Sequence, residues 1–170
     1  MRLKRVFDLA GAAGGLVFFL PVMMLVAVAI VLDDGLPLVF RQARLGRRRR
    51  RFTILKFRSM RDGRVTRVGR VLRHTGLDEL PQFINVLRGE MSVIGPRPER
   101  PCFVEQFERE IPGYQERHRI RPGITGLAQV NGGYLSNARV KLRYDLFYLY
   151  HRSVWLDLMI VARTFGAMIH

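Results

Sequence analysis

The longest feature in the pattern of hydrophobic and polar positions is an apolar segment, residues 9–32, that contains no charged side chain. About 20 apolar residues are enough for a helix to cross the hydrocarbon core of a bilayer. Pro21 lies near the centre of the segment, where a proline removes a backbone hydrogen bond and bends a helix. The pattern therefore predicts a membrane helix with a break at Pro21.

Positive charge flanks this segment on both sides. The basic residues are Arg2, Lys4 and Arg5 before it, and Arg41, Arg44 and the run 47–51 after it. Because positively charged flanks stay on the cytoplasmic side of a membrane, a helix that enters, bends and returns to the same face satisfies both observations. We therefore expect a re-entrant helical hairpin. A straight transmembrane helix and a buried core helix are the alternatives. A signal peptide fits poorly, because Asp33-Asp34-Gly35 offers no cleavage site.

Beyond the apolar segment, the pattern predicts a mainly α fold with short β segments. Residues 36–40 and 52–57 are β-prone and predict a hairpin around Gly46. A short helix is expected at 68–72, and an amphipathic helix is expected at 101–111.

A clearer helix is predicted between Asp78 and Gly89. Its apolar residues recur at the spacing of one helical face and are Leu80, Phe83, Ile84 and Leu87. Asp78 is a suitable N-cap, Pro81 is tolerated in the first turn, and Gly89 is a suitable stop.

The C-terminal part of the chain is rich in aromatic residues. Residues 138–169 predict one or two helices, with rings at Tyr144, Phe147, Tyr148, Tyr150 and Trp155. Such rings favour the membrane–water boundary, although aromatic residues on a helix also form ordinary core. Upstream, turns at Pro122-Gly123 and Gly126 predict a short strand that ends near Val130.

Charge narrows the class of partner. The 170 residues include 29 lysines and arginines against 14 aspartates and glutamates, which gives a net charge of +15. Nucleic acid, an acidic lipid surface and a phosphorylated substrate all fit this charge, while a hydrophobic content of 48% excludes a disordered basic tail. Beside an apolar helix, the run 47–51 is expected to bind anionic lipid head groups. A nucleic-acid patch and a solvated basic loop are the alternatives.

Asp78 and Glu79 are adjacent carboxylates at the predicted start of a helix, where free N–H groups and a partial positive charge favour anions. An ionised aspartate can attack phosphorus, and a neighbouring carboxylate can hold Mg²⁺ against a diphosphate. An ordinary acidic N-cap would have the same sequence, so the pair indicates chemistry only together with its surroundings.

Rigid cations supply those surroundings. Arg97 lies between two prolines and Arg121 precedes Pro-Gly, so the backbone of each is stiff. Lys56 and Arg58 alternate along a predicted strand. Cations fixed in this way can bind a diphosphate and stabilise the charge that is transferred, although arginines beside prolines also occur in ordinary surface loops.

Together these motifs resemble the bacterial sugar transferases, the monotopic phosphoglycosyl transferases. The matching segments, in order, are KFRSM at 56–60, TGLDELPQ at 75–82, NVL at 85–87, MSVIGPRP at 91–98, RPGITG at 121–126 and Tyr144-Asp145. The match extends from the apolar N-terminus to the final helix, and ordered motifs of this length are specific.

The resemblance implies an enzyme of bacterial glycoconjugate or exopolysaccharide synthesis. Asp78 would attack the sugar-linked phosphorus of a UDP-sugar and release UMP, and polyprenol (undecaprenyl) phosphate would then accept the phospho-sugar in a ping-pong cycle. Glu79 matches the Mg²⁺-binding position. The charged positions that line the site are matched by Lys56, Arg73, Arg97, Arg121 and Asp145.

The resemblance also implies a monotopic protein of the bacterial cytoplasmic (inner) membrane. Residues 1–35 would form the re-entrant helix, and residues 36–170 would form one catalytic domain on the cytoplasmic face, with amphipathic helices at the interface. The expected partners are a UDP-sugar, polyprenol phosphate and anionic lipids, but not nucleic acid. The identity of the sugar, the glycan pathway and self-association of the chain stay open.

Three positions depart from the family's usual pattern. Leu20, rather than serine, precedes Pro21; Gly76 lies where serine is usual; and the segment 60–66 is short. None of them alters the acid pair, so activity is expected. The rival hypotheses are a basic nucleic-acid-binding protein, supported by charge alone, and an inactive membrane scaffold.

Overall fold

A computed structural model of the chain describes residues 2–132 and 137–167. The helices are α1 (Arg2–Asp34), α2 (Arg67–Thr75), α3 (Gln82–Leu87), α4 (Pro101–Glu110), α5 (Leu127–Gly132), α6 (Ala138–His151) and α7 (Val154–Ala167). The strands are β1 (Val39–Leu45), β2 (Arg51–Phe57), β3 (Met60–Arg61), β4 (Arg64–Val65), β5 (Ser92–Ile94) and β6 (Gly123–Thr125). This order confirms the predicted mainly α fold with short β segments.

Helix α1 runs without interruption from Arg2 to Asp34 and contains Pro21. It is long and apolar enough to cross a membrane. Because the helix is continuous, the predicted chain reversal is not confirmed, and a bend at Pro21 stays a prediction. The exposed apolar side chains of α1 are Leu3, Val6, Phe7, Leu9, Val17, Phe18, Leu20, Met24, Leu25, Val28, Val31 and Leu32.

The chain divides into two compact units. The first unit comprises Met1–Gln42 and Ile54–Arg88, and the second comprises Ala43–Thr53 and Gly89–His170. Strands β1 and β2 pair in a two-stranded sheet, and the chain passes between the units along them. The predicted hairpin is therefore present, with its first strand at Val39–Leu45 rather than at 36–40. The functional division into 1–35 and 36–170 stays a prediction.

The core of the first unit forms where one side of α1 packs against its other elements. The buried residues of this core are Val26, Ile30, Phe57, Leu72 and Leu80. A glycine permits close approach nearer the N-terminus of α1, since a Cβ at Gly15 would lie 2.8 Å from Phe83 Cζ. Both ends of α1 are also tied to this unit: Arg5 Nη2 donates to Leu87 O at 3.2 Å, and Asp33 Oδ2 accepts from Val68 N at 3.0 Å.

The short segment 60–66 is a tight hairpin, in which β3 pairs antiparallel with β4. Its two turn residues, Asp62 and Gly63, have φ values of 48° and 78°, as a type I′ turn requires. Thr66 then begins α2, and its Oγ1 accepts from Gly69 N at 2.9 Å. The shortening noted in the sequence thus leaves a complete hairpin that leads into a capped helix.

The helix that was predicted to start at Asp78 starts later. Helix α3 begins at Gln82, and Asp78 and Glu79 lie in a 3-10 turn, Leu77–Glu79, before it. The N-cap assignment of Asp78 was therefore wrong. The reason is Gly76, which ends α2 in the left-handed conformation at φ 70° and leads into the separate turn that holds both acids.

The second unit contains a parallel pair of short strands. β5 pairs with β6, with Ser92 opposite Gly123 and Ile94 opposite Thr125. The strand that was predicted to end near Val130 ends at Thr125, because α5 begins at Leu127 and takes the rest of that segment. Two buried clusters form the core: Ile94, Ile120, Leu127, Tyr148, Leu149 and Ile160 in one, and Leu45, Val104, Ile111, Tyr114 and Leu142 in the other.

The C-terminal segment forms two helices, α6 and α7, and its aromatic residues divide between core and surface, so a place at the membrane–water boundary stays a prediction. Tyr148 is buried core, and its hydroxyl donates to Asp157 Oδ1 at 2.7 Å. Phe147, Tyr150 and Trp155 are exposed, and Trp155 retains 82% of its accessible surface.

Candidate active site

The predicted acid pair lies beside a lysine within the first unit. Lys56 Nζ donates to Glu79 Oε1 at 2.6 Å and lies 3.5 Å from Asp78 Oδ2. Both acids are buried, and 16% of the Lys56 side chain is exposed. Two neighbouring carboxylates and one ammonium form a compact charged group whose formal charge is negative when all three are ionised.

Strand β2 and helix α3 hold this group in place. Asn85, which is fully buried on α3, accepts a hydrogen bond from Leu55 N at 3.0 Å. This bond fixes the strand residue next to Lys56 to the helix that follows the two acids. In the sequence Asn85 stands out only as part of a motif, because its buried acceptor role requires the tertiary pairing of α3 with β2.

Among the described residues, no hydrogen bond or ion pair with the acid pair is present for two other predicted phosphate ligands of the first unit, Arg58 and Arg73. Arg58 binds the C-terminal end of α1, and Arg73 is exposed to solvent. Arg58 Nη2 lies 2.8 Å from Asp34 Oδ2 and donates to Asp34 O and Gly35 O at 2.9 and 2.7 Å. It therefore neutralises and caps the C-terminal end of α1. Arg73 is exposed in the last turn of α2, where a cation favours the helix dipole. For both residues a role in substrate binding stays a prediction.

In the second unit, the predicted site residue Asp145 forms a buried ion pair with Arg117, which no motif in the sequence indicates. Arg117 Nη2 lies 2.8 Å from Asp145 Oδ2 and donates to Arg97 O at 2.9 Å. Arg117 Nη1 also donates to the Tyr114 hydroxyl. Asp145 thus supports Arg117, which holds the backbone of the Pro-Arg-Pro segment. Nothing in the sequence around Arg117 distinguishes it from a solvated arginine.

Burial governs the titration of this group. Burial raises the pKa of Asp145 to about 6, although the adjacent Arg117 acts in the opposite direction. Burial, and then the charge of Arg117, lower the pKa of His118 to about 4. Burial also raises the pKa of Tyr114 to about 12. At neutral pH the ion pair is therefore formed, while His118 and Tyr114 are uncharged.

Glycines allow the backbones of the segments 95–98 (GPRP) and 121–123 (RPG) to approach closely. Gly123 N donates to Pro96 O at 2.9 Å, and a Cβ at Gly123 would overlap the backbone of Gly95. Arg121 is fixed as well, since its Nε donates to Gly89 O at 2.8 Å. The rigidity that was predicted for Arg121 thus comes from backbone packing and from this hydrogen bond, besides the neighbouring proline.

The two carboxylates of the acid pair are ligands of the type that magnesium prefers. Within the described ranges no cluster of three or more His, Cys, Asp or Glu side chains could hold a metal. Mg²⁺, however, is commonly bound by one or two carboxylates and completes its shell with water and substrate phosphates. Asp78 and Glu79 are adjacent hard-oxygen donors of that type, so the donor set is compatible with a cation that arrives with a diphosphate.

Residues 1–170 match the family model for bacterial sugar transferases, and the chain belongs to that family. It is 48% identical to a UDP-N-acetylgalactosamine-undecaprenyl-phosphate N-acetylgalactosaminephosphotransferase from Aeromonas hydrophila, over 95% of this chain and 42% of the relative. It is 42% identical to the UDP-glucose:undecaprenyl-phosphate glucose-1-phosphate transferase from Escherichia coli, over 95% of this chain and 39% of the relative.

A shorter relative matches over more of its own length. The UDP-glucose:undecaprenyl-phosphate glucose-1-phosphate transferase from Caulobacter vibrioides is 41% identical, over 98% of this chain and 69% of the relative. The chain thus spans less than half of the Aeromonas and Escherichia relatives. These comparisons confirm the resemblance that the motifs indicated, and the names of the relatives differ in the sugar that is moved.

Proposed function

We propose that the chain transfers a sugar-1-phosphate from a UDP-sugar to undecaprenyl phosphate and so initiates the synthesis of a bacterial polysaccharide. The observation that carries the proposal is the buried group of Asp78, Glu79 and Lys56 within 3.5 Å, in a chain that belongs to the bacterial sugar transferase family. The relatives' names supply the classes of donor and acceptor.

In the proposed reaction Asp78 is the nucleophile. One of its carboxylate oxygens forms a bond to the sugar-linked phosphorus of the UDP-sugar, and the phosphoanhydride bond breaks to release UMP. An oxygen of undecaprenyl phosphate then attacks the same phosphorus and breaks the bond to Asp78, which restores the carboxylate. The acid is buried, so water has little access to the acyl phosphate between the two steps.

Lys56 is proposed to stabilise the charges of this reaction. Its ammonium contacts both acids, so it offsets the repulsion between a carboxylate and an incoming diphosphate. Glu79, and Asp78 before it reacts, would hold Mg²⁺, which neutralises diphosphate charge when it is bound. Arg97 and Arg121 are proposed to bind phosphate oxygens, and the buried Arg117–Asp145 pair positions the backbone of Arg97.

The proposed location is the cytoplasmic face of the inner membrane. The exposed apolar side of α1 can enter lipid, while Arg5 and Asp33, near its two ends, bind the same compact unit. Attachment at both ends supports an α1 that enters and leaves on one face, with a bend at Pro21. This placement would bring a soluble donor and a lipid acceptor to one surface.

UMP release tests the proposal directly. Full-length protein in detergent, given a UDP-sugar and Mg²⁺ but no acceptor, is expected to release one equivalent of UMP and to gain the mass of one phospho-sugar. Undecaprenyl phosphate should then convert the burst into turnover. A panel of UDP-sugars in the same assay would identify the donor. Release of UMP only when the acceptor is present would contradict the covalent intermediate.

Asp78→Asn should abolish both the burst and the turnover. Asp62→Asn is the matched control, because that carboxylate is 94% exposed at the tip of the β3–β4 hairpin. Full activity of Asp78→Asn would overturn the assignment of the nucleophile. If wild-type protein released no UMP from any UDP-sugar but still bound lipid vesicles, a membrane scaffold would be favoured instead.

A further inference from the structure

Arg47, Arg121 and Arg152 are among the arginines of the second unit that form no ion pair with a carboxylate of the described residues. Other arginines nearby do have one. Arg49 pairs with Glu108 at 3.0 Å, and Arg117 pairs with Asp145 at 2.8 Å. Cations that lie close together without a carboxylate are neutralised only by solvent ions or by a bound anion.

Each of the three side chains is instead fixed through its Nε atom to a backbone carbonyl. Arg47 Nε donates to Arg119 O at 3.2 Å, Arg121 Nε donates to Gly89 O at 2.8 Å, and Arg152 Nε donates to Leu149 O at 3.2 Å. Nε is thereby occupied, while with respect to the described part of the chain the terminal nitrogens keep their donors for another group. A guanidinium held in this way loses little freedom when it binds an anion.

Arg121 and Arg152 each lie within electrostatic range of Arg47. Helix α6, which ends at the residue before Arg152, contacts the turn Tyr114–Arg119. The bond from Arg47 reaches the residue two positions before Arg121, and the 3-10 turns Arg47–Arg49 and Tyr114–Arg119 are in contact. Burial lowers the pKa of Arg47, and the positive charges of Arg121, Arg48 and Arg152 lower it further. Fixed like charges at this proximity destabilise one another unless an anion is present.

The backbone of the basic turn has an unusual conformation as well. Arg48 and Arg49 both have positive φ values, 55° and 59°. A left-handed conformation at a non-glycine residue costs on the order of 1 kcal/mol. This turn therefore keeps Arg47 in place at some cost in stability.

We propose that Arg47, Arg121 and Arg152 form a preorganised binding site for a phosphate-bearing ligand. The site extends the phosphate-binding role predicted for Arg121 to Arg152, which no motif indicated, and gives Arg47, from the basic run 47–51, a defined position in it. It does not depend on the transfer reaction, because binding of an anion is measured without turnover. The phosphate can belong to a soluble diphosphate or to a lipid head group, and the two sources respond differently in the test below.

The first arm of the test uses inorganic pyrophosphate and calorimetry on the full chain in detergent at constant ionic strength. Arg47→Gln and Arg152→Gln should each weaken binding about tenfold, because each removes a charge-assisted fork. Arg109→Gln and Arg143→Gln remove the same charge from exposed positions and should leave the affinity within about twofold of wild type. Arg47→Lys should lie between, since it keeps the charge but loses the fork.

The second arm uses flotation with vesicles of phosphatidylglycerol or phosphatidylcholine. A soluble phosphate ligand predicts weaker pyrophosphate binding by Arg47→Gln and Arg152→Gln with unchanged vesicle binding. A lipid ligand predicts that the same two variants lose their preference for phosphatidylglycerol. If all four glutamine variants behave alike in both arms, diffuse charge explains the binding and the proposal is overturned. If Arg47→Gln fails to fold, the exposed Arg152→Gln decides.

Discussion

The guanidinium of Arg117 lies 2.8 Å from the carboxylate of Asp145, and these side chains retain only 4% and 2% of their accessible surface. The pKa of Asp145 is nevertheless raised to about 6, so the cost of burying its charge exceeds what the arginine returns. Such a pair contributes little net stability, but it fixes geometry. Here it fixes Arg117, which donates to the backbone of Arg97.

Asp145→Asn should destabilise the fold by about 3–5 kcal/mol, because it leaves the Arg117 charge buried without a partner. Thermal unfolding in detergent measures this loss, and exposed Asp62→Asn should be neutral. The double variant Arg117→Met with Asp145→Leu should recover much of the stability, since it removes both buried charges. It should not recover UMP release, because Arg97 O still lacks its donor. Recovery of both properties would show that the pair has no positioning role.

The pH dependence of stability should contain two opposing contributions from this group. The folded-state pKa of Asp145 is raised, so the native state binds the extra proton and this contribution falls as pH rises from about 4 to about 6. The folded-state pKa of His118 is lowered to about 4, so its contribution rises with pH between about 4 and 6.5. The two should largely cancel in wild type.

Replacement of the histidine separates these contributions. His118→Gln should make stability fall as pH rises from about 4 to about 6, because only the Asp145 contribution is left. The melting temperature of wild type and variant, measured at half-unit pH intervals, tests this. Parallel curves for the two proteins would mean that His118 titrates in the folded state as it does in the unfolded chain.

The sequence predicted individual helices and strands better than the boundaries between them. Helical periodicity and turn residues were sufficient for α2, α4 and the hairpin, because those signals are local. They were insufficient at Asp78, where a left-handed Gly76 ends one helix and a 3-10 turn separates it from the next. Motif resemblance supplied the acids and Lys56, which the structure brings together.

Two contributors to the site were beyond any local signal. Arg117 lies among other charged residues, and only the folded chain buries it against Asp145. Asn85 lies on a helix face, and its acceptor role appears only where α3 meets the strand that carries Lys56. Burial and long-range pairing decide such roles, and neither is encoded in residue spacing.

Lys56→Met should lower UMP release by about 100-fold or more, because it removes the ammonium beside both acids and leaves two buried carboxylates to repel the donor. Lys56→Arg should retain part of the activity because it keeps the positive charge. It should not retain all of it, because the guanidinium fork cannot reproduce a contact as short as 2.6 Å in the same space. Arg143→Met, at an exposed position on α6, is the control for the loss of one cation. Equal rates for Lys56→Met and Arg143→Met would exclude a direct role for the lysine.

Two adjacent glycines of α1 offer a test of how this helix packs. A Cβ at Gly14 would meet nothing within 4 Å, whereas a Cβ at Gly15 would lie 2.8 Å from Phe83 Cζ, in a ring that stacks on Phe19. Replacement of a helical glycine by alanine ordinarily stabilises by about 1 kcal/mol. Gly14→Ala should therefore raise the melting temperature in detergent. Gly15→Ala should lower it or leave it unchanged, because the Phe83 ring must move. A gain of the same size in both variants would mean that α1 does not rest on α3 in solution, and the support for an α1 attached near both ends would be lost.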